Sequence, residues 1–481
     1  MLESPVLNMP PIRRVAVIGA GPSGAAAAEA LKQTQAFDVI RVFERRGEVG
    51  GAWNFDPAPN VPVADPLVHP STGDPPVQPP AELPATTSKS TTERWITAPV
   101  YENLTTNVNV EIMSYTYLHF ADVDKTPLAE DHDPMFPSAA RVLNYIQTLH
   151  SRHSDYLVLN TTLERAVKQG NEWHLTLRRA DTETDYWYAE SFDALVVATG
   201  IYSVPRIPDI PGLHDYNRSF PGRAIHSKYF RSAEGFKSRS VLVVGNGITA
   251  LDLIRDLMPV VSNLTVAHRS PSWMYPTSLV GVPGISVRSQ LQRLDPENGD
   301  CFFADGEPPV HPDAIIFATG YHVSFPFLSP PYASHNHGSS LAADWVPGTY
   351  LHTFHQQDPT LSFVGLIQNS VSFRIFEYQA AIVAAFLAGR LQLPVLEEMQ
   401  RWENERLQEI DNNPSLFHYN KYPNSVDLLN QLHTLLQNTT GPGLRLHSWQ
   451  DEWTPKYKAG VEERKRRVEN LKTLHITGTV L

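Results

Sequence analysis

The segment from Val15 to Leu31 limits what this chain can fold into more than any other. It reads Val15-Ala-Val-Ile18, then Gly19-Ala-Gly21-Pro22-Ser23-Gly24, then an alanine-rich stretch from Ala25 to Leu31. The apolar run predicts a buried parallel strand, and the alanines predict a helix. Between them, Gly19 permits a tight turn, Gly21 lets the backbone approach a pyrophosphate, and Gly24 allows close helix–strand packing. Free N–H groups at the helix N-terminus favour an anion there. A second strand, Val39 to Phe43, ends at Glu44, placed to accept hydrogen bonds from a ribose diol. The result is a complete βαβ unit.

A second unit of the same kind starts at Val241-Leu-Val-Val244. It passes through Gly245-Asn-Gly247-Ile-Thr249-Ala250 into a helix reaching Met258, then a strand from Leu264 to Ala267 that ends near Arg269. Alanine is an accepted third member of the glycine pattern. Here a guanidinium replaces the carboxylate. It can pair with a 2′-phosphate, which points to NADPH over NADH, and the bland alternative is a solvent-facing arginine. Glu44 on the first unit suits FAD. Ala194–Gly200 and Asp313–Tyr321 both run from a strand into Ala-Thr-Gly. The expected fold class is α/β with two dinucleotide-binding, Rossmann-like domains. An FAD domain (1–212 and 326–481) is interrupted by an inserted NADPH domain (213–325).

The remaining elements are coarser. Glu172–Arg178 and Tyr186–Ser191 read as a hairpin, Phe376–Leu393 as a helix stopped by Pro394, and Val395–Ile410 as a charged amphipathic helix. The Glu462–Arg467 charge run reads as a solvated helix face. The chain has forty prolines, and they are densest between Pro57 and Pro99, which reads as a surface insertion without regular structure. The net charge of −12 does not favour nucleic acid. Cys301 is the only cysteine, so an internal disulfide, a redox cysteine pair and a cysteine-based zinc site are excluded, and no metal is expected. No apolar run is long enough to cross a membrane and no signal peptide is evident, so a cytoplasmic location is expected, with a homo-oligomer left open.

Four segments together resemble flavin-containing monooxygenases. Glu44 is followed by Gly50-Gly51-Ala52-Trp53, like the family's second glycine motif. Phe220-Pro-Gly222-Arg-Ala-Ile-His226-Ser-Lys-Tyr-Phe230 looks like the family signature. Asp313–Tyr321 is shared with N-hydroxylating relatives, and Tyr101–Asn107 is similar to the family's L-x-T-N segment. The resemblance implies that FAD is held by Gly19, Gly21, Pro22, Ser23, Gly24, Glu44, Arg45, Gly51, Ala52, Trp53, Thr106, Asn107 and Val108, with Gln379 near the flavin. It implies that NADPH is held by Gly245, Gly247, Thr249, Ala250 and Arg269.

The implied activity is that of an NADPH-dependent enzyme forming a C4a-hydroperoxyflavin. One oxygen atom of O₂ then goes to a nucleophilic nitrogen or sulfur of a small organic substrate. Asn107 is the implied catalytic residue, its amide beside the reacting oxygen. The competing reading is an asparagine serving a turn. His226 is expected to be structural, because oxygen transfer to an amine or thioether needs no protein base. Tyr115, Tyr117 and Phe120 read as a core strand in preference to a pocket wall. Phe230 stands where Baeyer–Villiger relatives carry tryptophan, which favours heteroatom oxygenation. A Baeyer–Villiger enzyme acting on a ketone, and a non-enzymatic NADPH sensor or scaffold, stay as alternatives. A disulfide reductase is excluded by the single cysteine.

Overall fold

The computed structural model describes residues 10–59, 77–91, 97–125, 135–270, 279–329, 332, 345–368, 371 and 373–477. Much of the Pro57–Pro99 segment therefore lies outside the described residues.

The first unit forms as its pattern dictates. Strand β1 (Arg14–Ile18) leads into helix α1 (Pro22–Thr34) and strand β2 (Val39–Phe43). Pro22 starts the helix three residues earlier than the alanine run suggests, because proline's fixed φ and missing N–H suit the first helical position. A seven-stranded sheet runs in the order Thr349–Tyr350, Phe354–His355, Leu361–Phe363, Ala194–Val197, β1, β2, Leu157–Val158. Its central pairings are parallel. Val15 and Val17 enter one core, while Ala16 and Ile18 enter another on the opposite face. The continuous apolar run thus serves two faces of one strand, each covered.

On the first face, α1 lies against the helix Phe373–Leu387. Ala25, Ala26, Ala28, Ala380 and Ala381 are all buried in this core, and such small side chains let helices approach closely. On the other face stands an antiparallel sheet of Ala85–Ser88, Thr184–Phe192, Glu172–Ala180 and Thr161–Gln169. It contributes Leu163, Trp173, Leu175 and Phe192.

The second sheet contains five parallel strands in the order Ala224–His226, Ala314–Phe317, Ser240–Val244, Asn263–Ala267, Ile285–Arg288. All of them lie in sequence between Ala194–Val197 and Thr349–Tyr350 of the first sheet. The α/β class with two Rossmann-like units, one interrupting the other, is therefore correct.

Three local expectations need correction. The proline-rich insertion contains regular structure: Ala85–Ser88 pairs with Thr184–Trp187 as an edge strand, and Trp187 Nε1 donates to Thr87 Oγ1 at 3.0 Å. Its sequence, Ala-Thr-Thr-Ser, carries no alternation of apolar and polar residues that would predict a strand. The helix expected to run to Leu393 ends at Leu387, because Gly389 (φ +71°) turns the chain and the Arg390 N–H returns to the Ala385 carbonyl at 2.9 Å. Tyr115 and Phe120 are core residues, but they sit in turns and a short helix, not a strand.

Four buried histidines are held neutral. His150 is pushed down to about 4, and His226 and His418 to about 3, chiefly by burial, while His352 is pushed well down for the same reason. Val346 N–H donates to His418 Nε2 at 3.0 Å, so His418 carries its proton on Nδ1 and donates to His352 Nδ1 at 3.1 Å. In the unfolded chain each imidazole takes a proton near pH 6.5. The stability these groups contribute is therefore present above about pH 6.5 and is lost as pH falls, by up to about 1.4 kcal/mol per pH unit for each histidine. Urea unfolding midpoints should fall steeply between about pH 7 and about pH 5. A flat midpoint across that window would contradict neutral burial.

Candidate functional site

The two glycine turns share one geometry. Gly19 has φ +105°, and a Cβ there would sit 2.7 Å from the Ala198 carbonyl oxygen. Gly245 has φ +131°, and a Cβ there would overlap the Ala318 carbonyl. Both Ala-Thr-Gly segments therefore abut the first glycine of a turn, a contact that demands glycine. In the first turn a Cβ on Gly24 would overlap the Gly19 carbonyl. Gly21 differs: a Cβ would meet nothing closer than Gly51 Cα, at 3.5 Å. In the second turn Gly247 is exposed, with nothing within 4 Å of such a Cβ. The middle glycines leave open cradles, each at a helix N-terminus, and these fit a pyrophosphate.

Glu44 is buried and braces the first turn. Its Oε2 accepts from Ala20 N–H at 2.8 Å, and its Oε1 accepts from Arg46 N–H at 2.9 Å. A carboxylate accepts about four hydrogen bonds, so capacity remains for a ribose diol. Gly51 lies directly against Gly21, and Gly50 N–H donates to the Ala20 carbonyl at 2.9 Å. Ala52 and Trp53 continue that short helical turn, with Trp53 edge-on to Phe373. Arg45 is half-buried beside Glu44, and Ser23 is buried in the first turn of α1.

Two supports were invisible to sequence reading. His150 Nε2–H donates to the Gly21 carbonyl at 3.0 Å, and Tyr115 Oη–H donates to the Pro22 carbonyl at 2.7 Å. Neither residue is near the turn in sequence, so no local pattern signals the contact.

At the second turn, Thr249 is half-buried in the first turn of the helix Ile248–Leu257, and Ala250 is fully buried. Arg269 is exposed just beyond the strand Asn263–Ala267. Asn246 Nδ2 donates to the Ser270 carbonyl, which ties the Arg269 loop to the glycine turn.

Asn107 lies in a framed turn. Thr106 N–H donates to the Pro137 carbonyl at 3.0 Å, and Thr106 Oγ1 donates to the Val108 carbonyl at 3.0 Å. Asn109 caps the helix Val110–Met113 through Glu111 N–H at 3.0 Å. Upstream, Tyr101 Oη–H donates to Asp252 at 2.5 Å, and Arg255 Nη2 donates to the Asn103 carbonyl at 3.3 Å. Downstream, Tyr115 reaches Pro22. The segment carrying Asn107 is thus bonded to the helices of both glycine turns.

Gln379 and His226 are both committed to protein partners. Gln379 is fully buried, with its amide committed to protein: it accepts from Gly365 N–H at 3.1 Å and donates to Thr353 Oγ1 at 2.9 Å and the His352 carbonyl at 3.2 Å. It acts one step removed, holding Gly365 against Ser23. His226 is fully buried, and its Nδ1 accepts from Lys228 N–H at 3.1 Å. Burial, reinforced by the Lys228 ammonium, pushes it down to about 3, the state of a structural imidazole.

The flavin-binding monooxygenase-like family profile matches residues 90–279 and 275–439, and an NAD(P)-binding Rossmann-like domain matches residues 17–72. The chain belongs to the flavin-containing monooxygenase family. Flavin-containing monooxygenase ustF2 of Aspergillus flavus is 28% identical over 446 residues, covering 83% of this chain and 87% of that protein. Flavin-containing monooxygenase FMO GS-OX5 of Arabidopsis thaliana is 31% identical over 393 residues, covering 80% of this chain and 76% of that protein. S-allyl-L-cysteine S-oxygenase from Allium sativum superposes with a TM-score of 0.75 at 25% identity, covering 96% of this chain and 94% of that one. As a flavin-containing monooxygenase it uses FAD and NADPH. Among the described residues, no helix is long and apolar enough to cross a membrane.

The two inner glycines of the first turn should separate folding from binding. Gly21→Ala should fold, because its methyl has room in the protein, yet purify with little flavin. Gly24→Ala should lose thermal stability as well, because its methyl overlaps backbone. Flavin absorbance per protein and the unfolding temperature check both.

Proposed function

We propose that this flavin-containing monooxygenase transfers one oxygen atom from O₂ to a nucleophilic sulfur or nitrogen of a small organic substrate. The observation that carries the reading is the Asn107 segment, bonded at one end to the helix of the second glycine turn and at the other to α1. FAD, held by the part spanning 1–212 and 326–481, supplies the redox and oxygen-activating chemistry when bound. The NADPH part is 213–325.

The residues divide the work by chemistry. The N-terminus of α1 and the cradle at Gly21 bind the FAD pyrophosphate, and Glu44 accepts the ribose hydroxyls. The cradle at Gly247 binds the NADPH pyrophosphate, and Arg269 pairs with its 2′-phosphate. The Asn107 amide donates a hydrogen bond at the reacting oxygen. A covered site keeps water and stray protons from that oxygen. The His226 imidazole is buried and accepts from the Lys228 N–H, which suits a structural role for it, and transfer to a sulfur or nitrogen lone pair needs no base from it. The similarity to the garlic S-oxygenase favours a thioether as the first substrate class to assay. A cytoplasmic location belongs to the same reading.

NADPH-dependent oxygenation of a thioether or a tertiary amine, with a cyclic ketone left unreacted, is the expected result. Lactone formation would instead favour the Baeyer–Villiger alternative. Failure to bind flavin would favour the sensor alternative. With an oxygenated substrate present, Asn107→Ala should retain FAD but release several-fold more hydrogen peroxide per NADPH consumed. An unchanged ratio would remove Asn107 from the reaction. Arg269→Ala should raise KM for NADPH by about 10- to 100-fold while leaving KM for NADH nearly unchanged, the size expected for a charge-assisted hydrogen bond.

A further inference from the structure

The charge run from Glu462 to Arg467 reads as a solvated helix face, yet only Glu462 and Arg466 are exposed. Its helix, Trp453–Thr477, bridges two cores. Trp453 and Tyr457 pack on the core that contains α1, and the Arg374 guanidinium lies 4.0 Å above the Trp453 ring. Further along, Val468 and Leu471 join the core of the second sheet with Val241, Ala250 and Leu251. Arg464 sits between these anchors.

This helix runs along the Asn107 segment. Lys456 pairs with Glu111 at 2.5 Å, and its carbonyl accepts from Asn109 Nδ2 at 3.4 Å. Gly460 faces Asn109, where a Cβ would come within 3.4 Å of the Asn109 Cβ. Arg464 Nη1 donates to the Asn107 carbonyl itself. Arg467 lies 4.6 Å above the ring of Phe136, between the two residues whose carbonyls accept from Val110 and Thr106. Of the Arg464 guanidinium nitrogens, Nη1 bonds the Asn107 carbonyl, while Nε is enclosed and has no partner among the described residues.

We propose that Arg464 is a positioning residue for Asn107, and that the last helix ties the setting of that turn to the seating of the NADPH-binding unit. This rests on the reading that the Asn107 amide serves the reacting oxygen. A charge-assisted bond to the peptide carbonyl fixes the plane from which the Asn107 side chain departs. A planar, always-charged guanidinium suits that task better than an ammonium, which supplies only a point charge.

The test uses the full-length, FAD-loaded protein without added substrate. It compares Arg464→Met, Arg464→Lys, Asn107→Ala, the Arg464→Met/Asn107→Ala pair and, as a surface control, Arg466→Met. Two quantities are read: amide hydrogen exchange over residues 104–113, and the rate of hydrogen peroxide release per bound FAD with NADPH and O₂ supplied in excess. Arg464→Met should exchange roughly tenfold faster in that segment, as expected for loss of one charge-assisted hydrogen bond. It should also release several-fold more peroxide at unchanged flavin content. Arg464→Lys should recover part of both effects, and Arg466→Met should match the parent. The paired variant should be no more uncoupled than Asn107→Ala alone.

Faster exchange with an unchanged rate of peroxide release, while Asn107→Ala does raise that rate, would overturn the positioning role. Loss of flavin from Arg464→Met would show a general structural role and overturn it too. If Asn107→Ala leaves the rate of peroxide release unchanged, the Asn107 reading itself fails and the proposal falls with it.

Discussion

In both sheets the end of the strand that leads into the glycine turn meets a neighbouring strand with no side chain between them. Gly19 lies under the carbonyl of Ala198, and Gly245 under that of Ala318. The same hydrogen bonds frame each approach. Gly19 N–H reaches the Phe43 carbonyl and Ala198 N–H the Ile18 carbonyl, while Gly245 N–H reaches the Ala267 carbonyl and Ala318 N–H the Val244 carbonyl. Three strand ends are thereby gathered at one point, and the next helix begins directly over them. Because the contact is backbone on backbone, it tolerates variation in the apolar strand residues but no Cβ at the glycine. The anion cradles at Gly21 and Gly247 follow from it.

The two units are then joined by polar contacts. Arg231 donates to the carbonyls of Asp56, Ala98, Lys228 and Phe230. It links the end of the His226–Phe230 segment to the chain that follows Trp53. Burial lowers its pKa, and the nearby Asp56 carboxylate opposes that shift. The half-buried guanidinium depends on these carbonyls to replace the water it gives up. Such a residue specifies one relative placement of its neighbours, which a purely apolar contact does less sharply. Tyr101–Asp252 and Arg255–Asn103 make comparable links beside the Asn107 segment.

The legible part of this molecule was whatever the physics makes local. β2 begins and ends where its apolar run does, and the hairpin strands extend their predicted cores by only a residue or two. A glycine turn, its flanking strand and helix, and a carboxylate at the end of the next strand are all set by short-range sterics. The misses have equally physical causes. Pro394 was read as the helix stop although Gly389 had already turned the chain. Ala85–Ser88 has too few apolar residues to announce a strand, and it forms because Thr184–Trp187 offers an unpaired edge.

Side chains that act across long separations are the larger gap. His150 bonds the Gly21 carbonyl, Gln379 steadies Gly365 against Ser23, and Arg464 bonds the Asn107 carbonyl. None of these contacts leaves a periodicity or a motif, because each depends on where the packed layers bring a side chain. By itself the sequence determined the two α/β units, the glycines at their turns and the opposite charges of Glu44 and Arg269. Those features follow from backbone sterics at the turns and from the residue types at the ends of the two strands. Only the tertiary structure decided that the last helix lies along the Asn107 turn, and that a run of charges resembling a solvated face sends one guanidinium inward. That outcome depends on Trp453, Tyr457, Val468 and Leu471 finding two separate apolar surfaces, which exist only once both sheets have packed.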